Sequence, residues 1–597
     1  MKKTITLLLV LFYFNSNAQV LESYPSTQTL AIPSNYINFN NKLYYFARDP
    51  SYNYSLYATD GTATGNQQIK SFGFTFGANL TEENQFKEFK IIFNNKLYFV
   101  YSNSLYTSDG TAAGTVILTS TIYNTKWFEI YNNKLYFTAQ TADSGLELWS
   151  TDGTVSGTTL VKDIFVGTSS AFNPTYDPHF TVFNNKLFFV ANDGVVGYEL
   201  WSTDGTTSGT ALFKDIRTNE GGSTSGFGSF LGTIYYNYPL FTVVNNKMYF
   251  GTNPYTNAAM GNYMVTDSPI LYETDGTALN TKVVEPPLAD PNTCSCGNNN
   301  YNYIYNLKGL TAYNNKLFVF GNQAFHSFGG ITNGGIYLVD NINPISRLQA
   351  FGDFEGDSGT SDDVKRFSMR LFNSELYFLG STYESGSPIN LWKMNPNSYE
   401  FTNITQTPNN TQTEFASSGI SLRLLVAKEF NNKLFFVKDR ETAGKIFSTD
   451  GTISGTQFEA RGIASNQNNT QQSTQAMTVV PISLGVFNNA IYFRAQFASG
   501  PNGLWRINFT NLSNSTFENN KISLFPNPTS SNLNLKLTNI LENGNLKIIS
   551  ITGQTIFKQQ NLSGTNFNFD VSNLSQGIYT VQLSNGNEIF NSKFIKK

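Results

Sequence analysis

One phrase returns nine times along the chain and constrains its fold more than any other feature. It consists of an Asn-Asn turn, an apolar strand of the type Lys-Leu-Tyr/Phe-Phe, a Leu-Trp/Tyr strand and, in most copies, Asp-Gly-Thr. The fourth copy is the clearest. Phe180 to Phe183 reads as a strand, Asn184-Asn185 as a two-residue turn whose positive φ asparagine tolerates, and Lys186 to Ala191 as the returning strand. Tyr198 to Ser202 makes a third strand, and Thr203-Asp204-Gly205-Thr206 a turn in which the carboxylate can accept local backbone N–H bonds. Thr210 to Ile216 makes a fourth strand. Each unit is therefore expected to be a four-stranded antiparallel sheet.

The second strand starts its apolar run at Leu43, Leu97, Leu135, Leu187, Met248, Leu317, Leu376, Leu434 and Ile491, and a third-strand partner follows each time, from Leu56 to Leu504. Because side chains alternate along a strand, Leu187 and Phe189 face one way and Phe188 and Val190 the other, so the sheet is apolar on both sides. Such a sheet has to be covered by neighbours front and back. Stacking sheets face to face around an axis does this without long exposed edges, which predicts an all-β fold, a β-propeller of eight or nine four-stranded blades. The uncertain blade is the second, because Asn94 and Asn132 are closer together than the other turns.

Composition agrees with strands. Aromatic residues make up 15% of the 597 residues and charged residues only 14%, a balance suited to sheets rather than solvated helices. The formal charge is −3 and becomes more negative without Lys2 and Lys3, so no basic field exists for nucleic acid. Two cysteines, Cys294 and Cys296, cannot frame a chain this long. Two histidines, His179 and His326, leave neither a multi-histidine metal site nor a Ser-His-Asp set. No residue set asks for a cofactor or metal.

Residues 1–18 read as a secretory leader: Lys2 and Lys3, the apolar run Ile5 to Phe14, then Ser16-Asn17-Ala18. No later apolar run is long enough to span a bilayer as a helix. The repeats occupy residues 19–508, and residues 509–521 read as a polar linker. Residues 522–597 carry short alternating strands such as Leu533 to Leu537 and Ile578 to Leu583, which suit a small C-terminal β-sandwich.

Two resemblances follow from quoted residues. Glu147-Leu148-Trp149-Ser150-Thr151-Asp152-Gly153-Thr154, continuing through Lys162-Asp163-Ile164, and the matching Glu199 to Ile216 resemble the bacterial ELWxxDGT repeat. That resemblance implies a fold and an extracellular setting rather than an activity. The tail resembles the C-terminal sorting domain of the Bacteroidota type IX secretion system. The residues that carry this likeness are Phe525-Pro526-Asn527-Pro528, Gly553 within Ile551-Thr552-Gly553-Gln554, Gly577-Ile578-Tyr579, and the basic end from Lys593 to Lys597. The second resemblance implies passage across the outer membrane, the type IX machinery as a partner, and release from or attachment to the cell surface.

The repeated aspartates Asp60, Asp109, Asp152, Asp204, Asp275 and Asp450 are expected to be turn residues, since a carboxylate before Gly satisfies backbone donors by itself. The Asp-x-Asp-x-Asp-Gly spacing of a calcium loop is absent. Cys294-Ser295-Cys296 is expected to be a short disulfide loop or two thiols, and His179 a residue that begins a strand. Unit length varies mainly between the second and third strands: Met248 to Leu271, Leu317 to Ile336 and Leu376 to Leu391 are longer than Leu187 to Leu200. These insertions should share one face, which makes residues 254–268 and 321–335 the expected contact region. Tyr255, Tyr263, Phe325 and His326 are the residues expected to meet a sugar or peptide there. The expected function is a non-enzymatic binding or adhesion module for extracellular glycans or proteins. Its rivals are a secreted polysaccharide-degrading enzyme, which needs two carboxylates roughly 5–10 Å apart at a pocket, and a surface scaffold without a small ligand.

Overall fold

At Asn184 and Asn185 the backbone turns with φ of 45° and 56°. All nine hairpins repeat this pair of positive values, with Ser374 (φ 62°) in second place after Asn373. Two consecutive left-handed residues make the hairpin turn whose twist matches that of the flanking strands, and asparagine tolerates the conformation at little cost.

The computed structural model describes residues 18–23, 31–49, 53–62, 64–73, 90–174, 177–216, 241–252, 270–284, 304–323, 334–339, 346–350, 369–380, 390–405, 421–439, 445–460, 477–479, 483–497, 503–510, 522–550, 555–585 and 588–597. All regular structure among these residues is β-strand, and no helix is long and apolar enough to cross a membrane. The chain divides into two compact units, Gln19–Asn508 and a second formed by Met1–Ala18 with Phe509–Lys597.

Among the described residues the first unit forms nine blades, each with four strand positions; the inner position of the ninth is filled by two pieces, Met477–Val479 and Leu484–Phe487. In the fourth, Thr181–Phe183, Lys186–Asn192, Tyr198–Thr203 and Ala211–Lys214 pair in chain order, with Leu187 opposite Thr203 and Trp201 opposite Leu212. The fifth and sixth blades are joined through the pair Ile270 and Tyr305. The second blade keeps all four strands. Its spacing is short because Ser102 and Asn103, with φ of 47° and 66°, turn the chain directly between the second and third strands. The ninth blade takes its outer strand from the other end of the chain, where Ala18–Ser23 pairs with Gly503–Thr510.

Blades pack as the alternation requires. Leu187 and Phe189 share a core with Tyr136 and Leu148 of the third blade, while Phe188 faces Met248, Phe250 and Tyr272 of the fifth. Leu187, Phe188 and Phe189 are fully shielded, and burying one such side chain contributes about 1.5–3 kcal/mol. The ring closes with Leu43, Tyr45 and Tyr57 of the first blade against Ala490, Tyr492 and Leu504 of the ninth. First strands of neighbouring blades come within 8 Å of one another, as between Arg370–Phe372 and Ser421–Phe430 and between Ala31–Phe39 and Leu484–Phe487. They therefore line the axis.

In the tail, Ile522–Phe525, Asn532–Ser550, Thr555–Asp570, Gly577–Asn585 and Glu588–Lys596 form one five-stranded sheet. The long strand Asn532–Ser550 pairs with Ile522–Phe525 along its first half and with Gly577–Asn585 along its second. Leu533 and Leu535 from one half and Leu546 and Ile548 from the other meet in a single core, so one continuous sheet supplies both layers of the expected sandwich.

Candidate functional site

Connectivity gives the propeller two unlike faces. The Asn-Asn turns and the Asp-Gly-Thr turns lie at one end of the blades. The loops between second and third strands, and the connections from blade to blade, lie at the other.

On the turn face, polar side chains are consumed in holding blades together. Asp204 Oδ1 accepts bonds from the Thr206 hydroxyl at 2.7 Å and the Thr206 N–H at 2.9 Å, and these donors hold its carboxyl below the usual carboxylate range. Asp60, Asp109, Asp152, Asp275 and Asp450 make the same two bonds to the threonine two residues on. Beneath five of these six turns a hydroxyl pair ties the two ends, as with Thr203 to Thr210 at 2.6 Å and Thr151 to Thr158 at 2.8 Å; the turn at Asp60 has Asn66 in the second place. Between blades, the first asparagine of one turn donates its side-chain N–H to the backbone of the next blade. Asn40 reaches the Asp109 carbonyl at 3.1 Å, Asn94 reaches Asp152, Asn184 reaches Asp275, and Asn488 reaches Asp60 across the closure. Among the described residues no group of three or more His, Cys, Asp or Glu side chains is placed to hold a metal ion.

The opposite face has its own supports, and here lie the residues to which sequence reasoning gave no role. Glu147 is the first residue of the third strand of blade 3 and Glu199 the second residue of that of blade 4, and both are fully buried. Glu147 accepts backbone N–H bonds from Ile164 at 2.7 Å, Ala171 at 3.1 Å and Phe165 at 3.3 Å, which pins the connection to the next blade. Glu199 does the same with Ile216 at 2.9 Å. Burial pushes the Glu147 carboxyl up to about 8, against the pull of its three donors, with a smaller push from Asp163. Glu147 and Asp163 are thus a carboxylate pair at the loop end of the blade. An acid that works on a substrate must touch it, and Glu147 has no exposed surface. Its oxygens are spent on backbone donors, so Glu147 supports the frame.

Tyr255, Tyr263, Phe325 and His326 lie outside the described residues, as do Cys294, Cys296, the leader residues 1–17 and Gly553. The segments holding the expected contact residues are bracketed by described strands: Thr252 and Ile270 flank one, Gln323 and Gly334 the other. His179 precedes the strand Thr181–Phe183, has φ 55°, and places Nδ1 3.9 Å from Asp177 Oδ2.

In the tail the structure brings together residues that are distant in sequence. Asn527, between Pro526 and Pro528, donates to the Lys593 carbonyl at 2.9 Å and accepts from the Ile595 N–H at 2.9 Å. Tyr579, two residues after Gly577, stacks on Phe594 with centroids 5.6 Å apart and donates to the Ser575 carbonyl. The opening Pro-Asn-Pro and the basic terminus are thus one structural element.

Residues 523–597 match the family described as the secretion system C-terminal sorting domain. The tail is a type IX sorting domain, and the chain is a type IX-exported protein with a propeller fold. No curated protein matches the chain. Among solved structures, a puromycin-hydrolyzing peptidase of Mycobacterium tuberculosis is 8% identical with a TM-score of 0.35, covering 78% of this chain and 58% of its own. The chain therefore spans little more than half of that peptidase. The β-propeller domain of the trilobed protease of Pyrococcus furiosus, described as having an open velcro topology, is 10% identical with a TM-score of 0.28, covering 65% of this chain and 96% of its own. A family 117 glycoside hydrolase of Zobellia galactanivorans is 8% identical with a TM-score of 0.23, covering 46% of this chain and 84% of its own. Likenesses this distant say nothing of activity.

Proposed function

We propose that this exported propeller is a binding module of the cell exterior, taking an extracellular glycan or protein on the face of its long second-to-third-strand loops and performing no chemistry on it. The observation that carries the reading is the division of labour between the two faces. The motif residues of the turn face are spent on bonds within and between blades, as with Asp204, Thr203 and Asn184. The length differences among blades fall at the opposite end, between Thr252 and Ile270, Gln323 and Gly334, and Gly380 and Asn390. Variable loops on a locked frame are how recognition surfaces are built. Tyr255, Tyr263, Phe325 and His326 sit in those loops and supply flat and hydrogen-bonding groups to a sugar or peptide.

The test is a glycan and extracellular-protein binding screen with the full-length protein, beside a variant in which residues 254–268 are replaced by a short Gly-Ser turn. Binding by the parent that drops at least roughly tenfold in the variant, with the ligand recovered intact, supports the reading. Equal binding by both overturns the choice of loop, and cleavage of the ligand overturns the non-catalytic role.

A further inference from the structure

The two outer faces of the tail's folded sheet differ in chemistry. Leu533 and Leu535 point into the core, so by strand alternation Asn532, Asn534 and Lys536 point outward, opposite Asp570, Asn568 and Asn566. That face is rich in asparagine and its two charges cancel. Asn568 donates to Asn534 Oδ1 at 2.8 Å, so the asparagines also satisfy each other.

In the second layer the core residues are Leu546, Ile548, Tyr579, Val581 and Phe594. Lys547, Ile549, Ile578, Lys593 and Ile595 alternate with them and point the other way. Lys558 lies opposite Lys547, Ile549 and Lys593 both lie opposite Thr580, and Ile578 lies opposite Ile595. Residues paired across strands stand about 4.5–5.5 Å apart, so the six side chains form one patch over four strands. Ile578 and Ile595 remain 49% and 45% exposed. Lys558 and Lys593 are exposed as well. Among the described residues no Asp or Glu occupies a paired outward position of this layer.

The patch is displayed from a fixed strand. Asn527 bonds the Lys593 carbonyl and the Ile595 N–H, on either side of the core residue Phe594. Isoleucines gathered in water mark a docking surface, and lysines with no carboxylate among them set its complement as acidic. The family supplies the occupant, since a sorting domain implies contact with the type IX machinery.

We infer that the sorting domain docks on the type IX machinery through this face, with Ile549, Ile578 and Ile595 against an apolar surface and Lys547, Lys558 and Lys593 against its acidic rim. The inference rests on the family of the tail and does not depend on the loop contact proposed above. The Asn-rich face takes no part, which makes it the internal control.

The test is export of the full-length protein from a bacterium that has a type IX system, read as the fraction of chain outside the cell against the fraction held in the periplasm. Lys558→Glu reverses one charge on the docking face, and Lys536→Glu makes the same change on the Asn-rich face. Ile578→Thr removes apolar surface while keeping a residue that favours strands. The expected result is that Lys558→Glu and Ile578→Thr each lower the exported fraction at least roughly tenfold, while Lys536→Glu is exported like the parent. Thermal melts of the purified full-length variants should match the parent. An early melt of Ile578→Thr leaves the decision to Lys558→Glu and its control, since both lysines are exposed. Export of Lys558→Glu at the parent's level overturns the inference, and so does an equal loss from Lys558→Glu and Lys536→Glu.

Discussion

The hydroxyl of Tyr98 fills the space a methyl group on Gly153 would need: a Cβ there would stand 2.6 Å from the oxygen, and Gly153 itself has φ +99°. Tyr44 with Gly110, Tyr136 with Gly205 and Tyr377 with Gly451 repeat this contact from blade to next blade. The glycine of the Asp-Gly-Thr turn is therefore required twice, for its backbone and for the tyrosine of the preceding blade.

Gly153→Ala should destabilise the propeller by about 2–4 kcal/mol, combining a left-handed backbone with a steric clash. Gly167→Ala is the control: φ is also +99° but nothing lies within 4 Å of the added carbon, so only the backbone cost of about 1 kcal/mol should appear. Adding Tyr98→Phe to Gly153→Ala should recover part of the loss, since the next nearest tyrosine atom is 3.8 Å away. Thermal melts of the parent, Gly153→Ala, Gly167→Ala, Tyr98→Phe and the double variant decide it, and additivity of Gly153→Ala with Tyr98→Phe would count against the contact.

The hydroxyl pairs beneath the turns predict a second effect. Thr203 Oγ1 accepts from the Gly205 N–H at 2.9 Å and pairs with Thr210. Thr203→Val should cost about 1–3 kcal/mol by leaving that N–H without its acceptor, whereas Thr203→Ser should be nearly neutral. Equal melting of the two variants would show that the hydroxyl contributes nothing.

Acid should loosen the turn face. In Asp60, Asp109 and Asp204 the folded carboxyl lies below its ordinary value because threonine donors favour the charged form. A depressed carboxyl gives its full stabilisation above the unfolded value near 4 and loses it as pH falls through the lower folded value. The midpoint of thermal unfolding should therefore drop below about pH 4, and Asp109→Asn with Asp204→Asn should make that drop shallower. Parallel curves for parent and double variant would refute the assignment.

Glu147 has the opposite sign. Its carboxyl is raised to about 8 in the fold, so it binds a proton more readily folded than unfolded. The associated stability is fully present below the unfolded value near 4.5 and is lost as pH rises through about 8. Glu147→Gln should remove that slope between roughly pH 5 and 8. It should also cost about 1–3 kcal/mol at all pH values, because an amide cannot accept on both of its heavy atoms from Ile164, Phe165 and Ala171. Chemical unfolding at pH 5, 6.5 and 8 reads both effects, and an unchanged slope would show that Glu147 does not titrate there.

The repeat was legible because its signals are local. Two asparagines that tolerate positive φ, followed by an apolar run, report hairpin, register and both buried faces within one stretch of chain. What the sequence left open depended on partners far away. The spacing from Asn94 to Asn132 suggests a missing strand, yet the two-residue turn at Ser102 and Asn103 shortens the loop instead. The ninth unit lacks Asp-Gly-Thr because no fourth strand follows it in sequence; Ala18–Ser23 takes that place without sharing the repeat phrase. Glu147 went unassigned because its partners are backbone N–H groups 17 to 24 residues onward, which leave no mark in side-chain identity.

The borrowed strand of the ninth blade sets an order of events. While the polypeptide is still being made or threaded outward, Ala18–Ser23 has no mate, because Gly503–Thr510 is the last stretch of the ring to appear. Until the two ends find each other, the nascent molecule carries a raw seam at each extremity, and such seams invite pairing with neighbours. A copy shortened by its final repeat would keep eight sound blades and still be sticky, a burden expected to fall on whatever escorts the chain before its two ends meet.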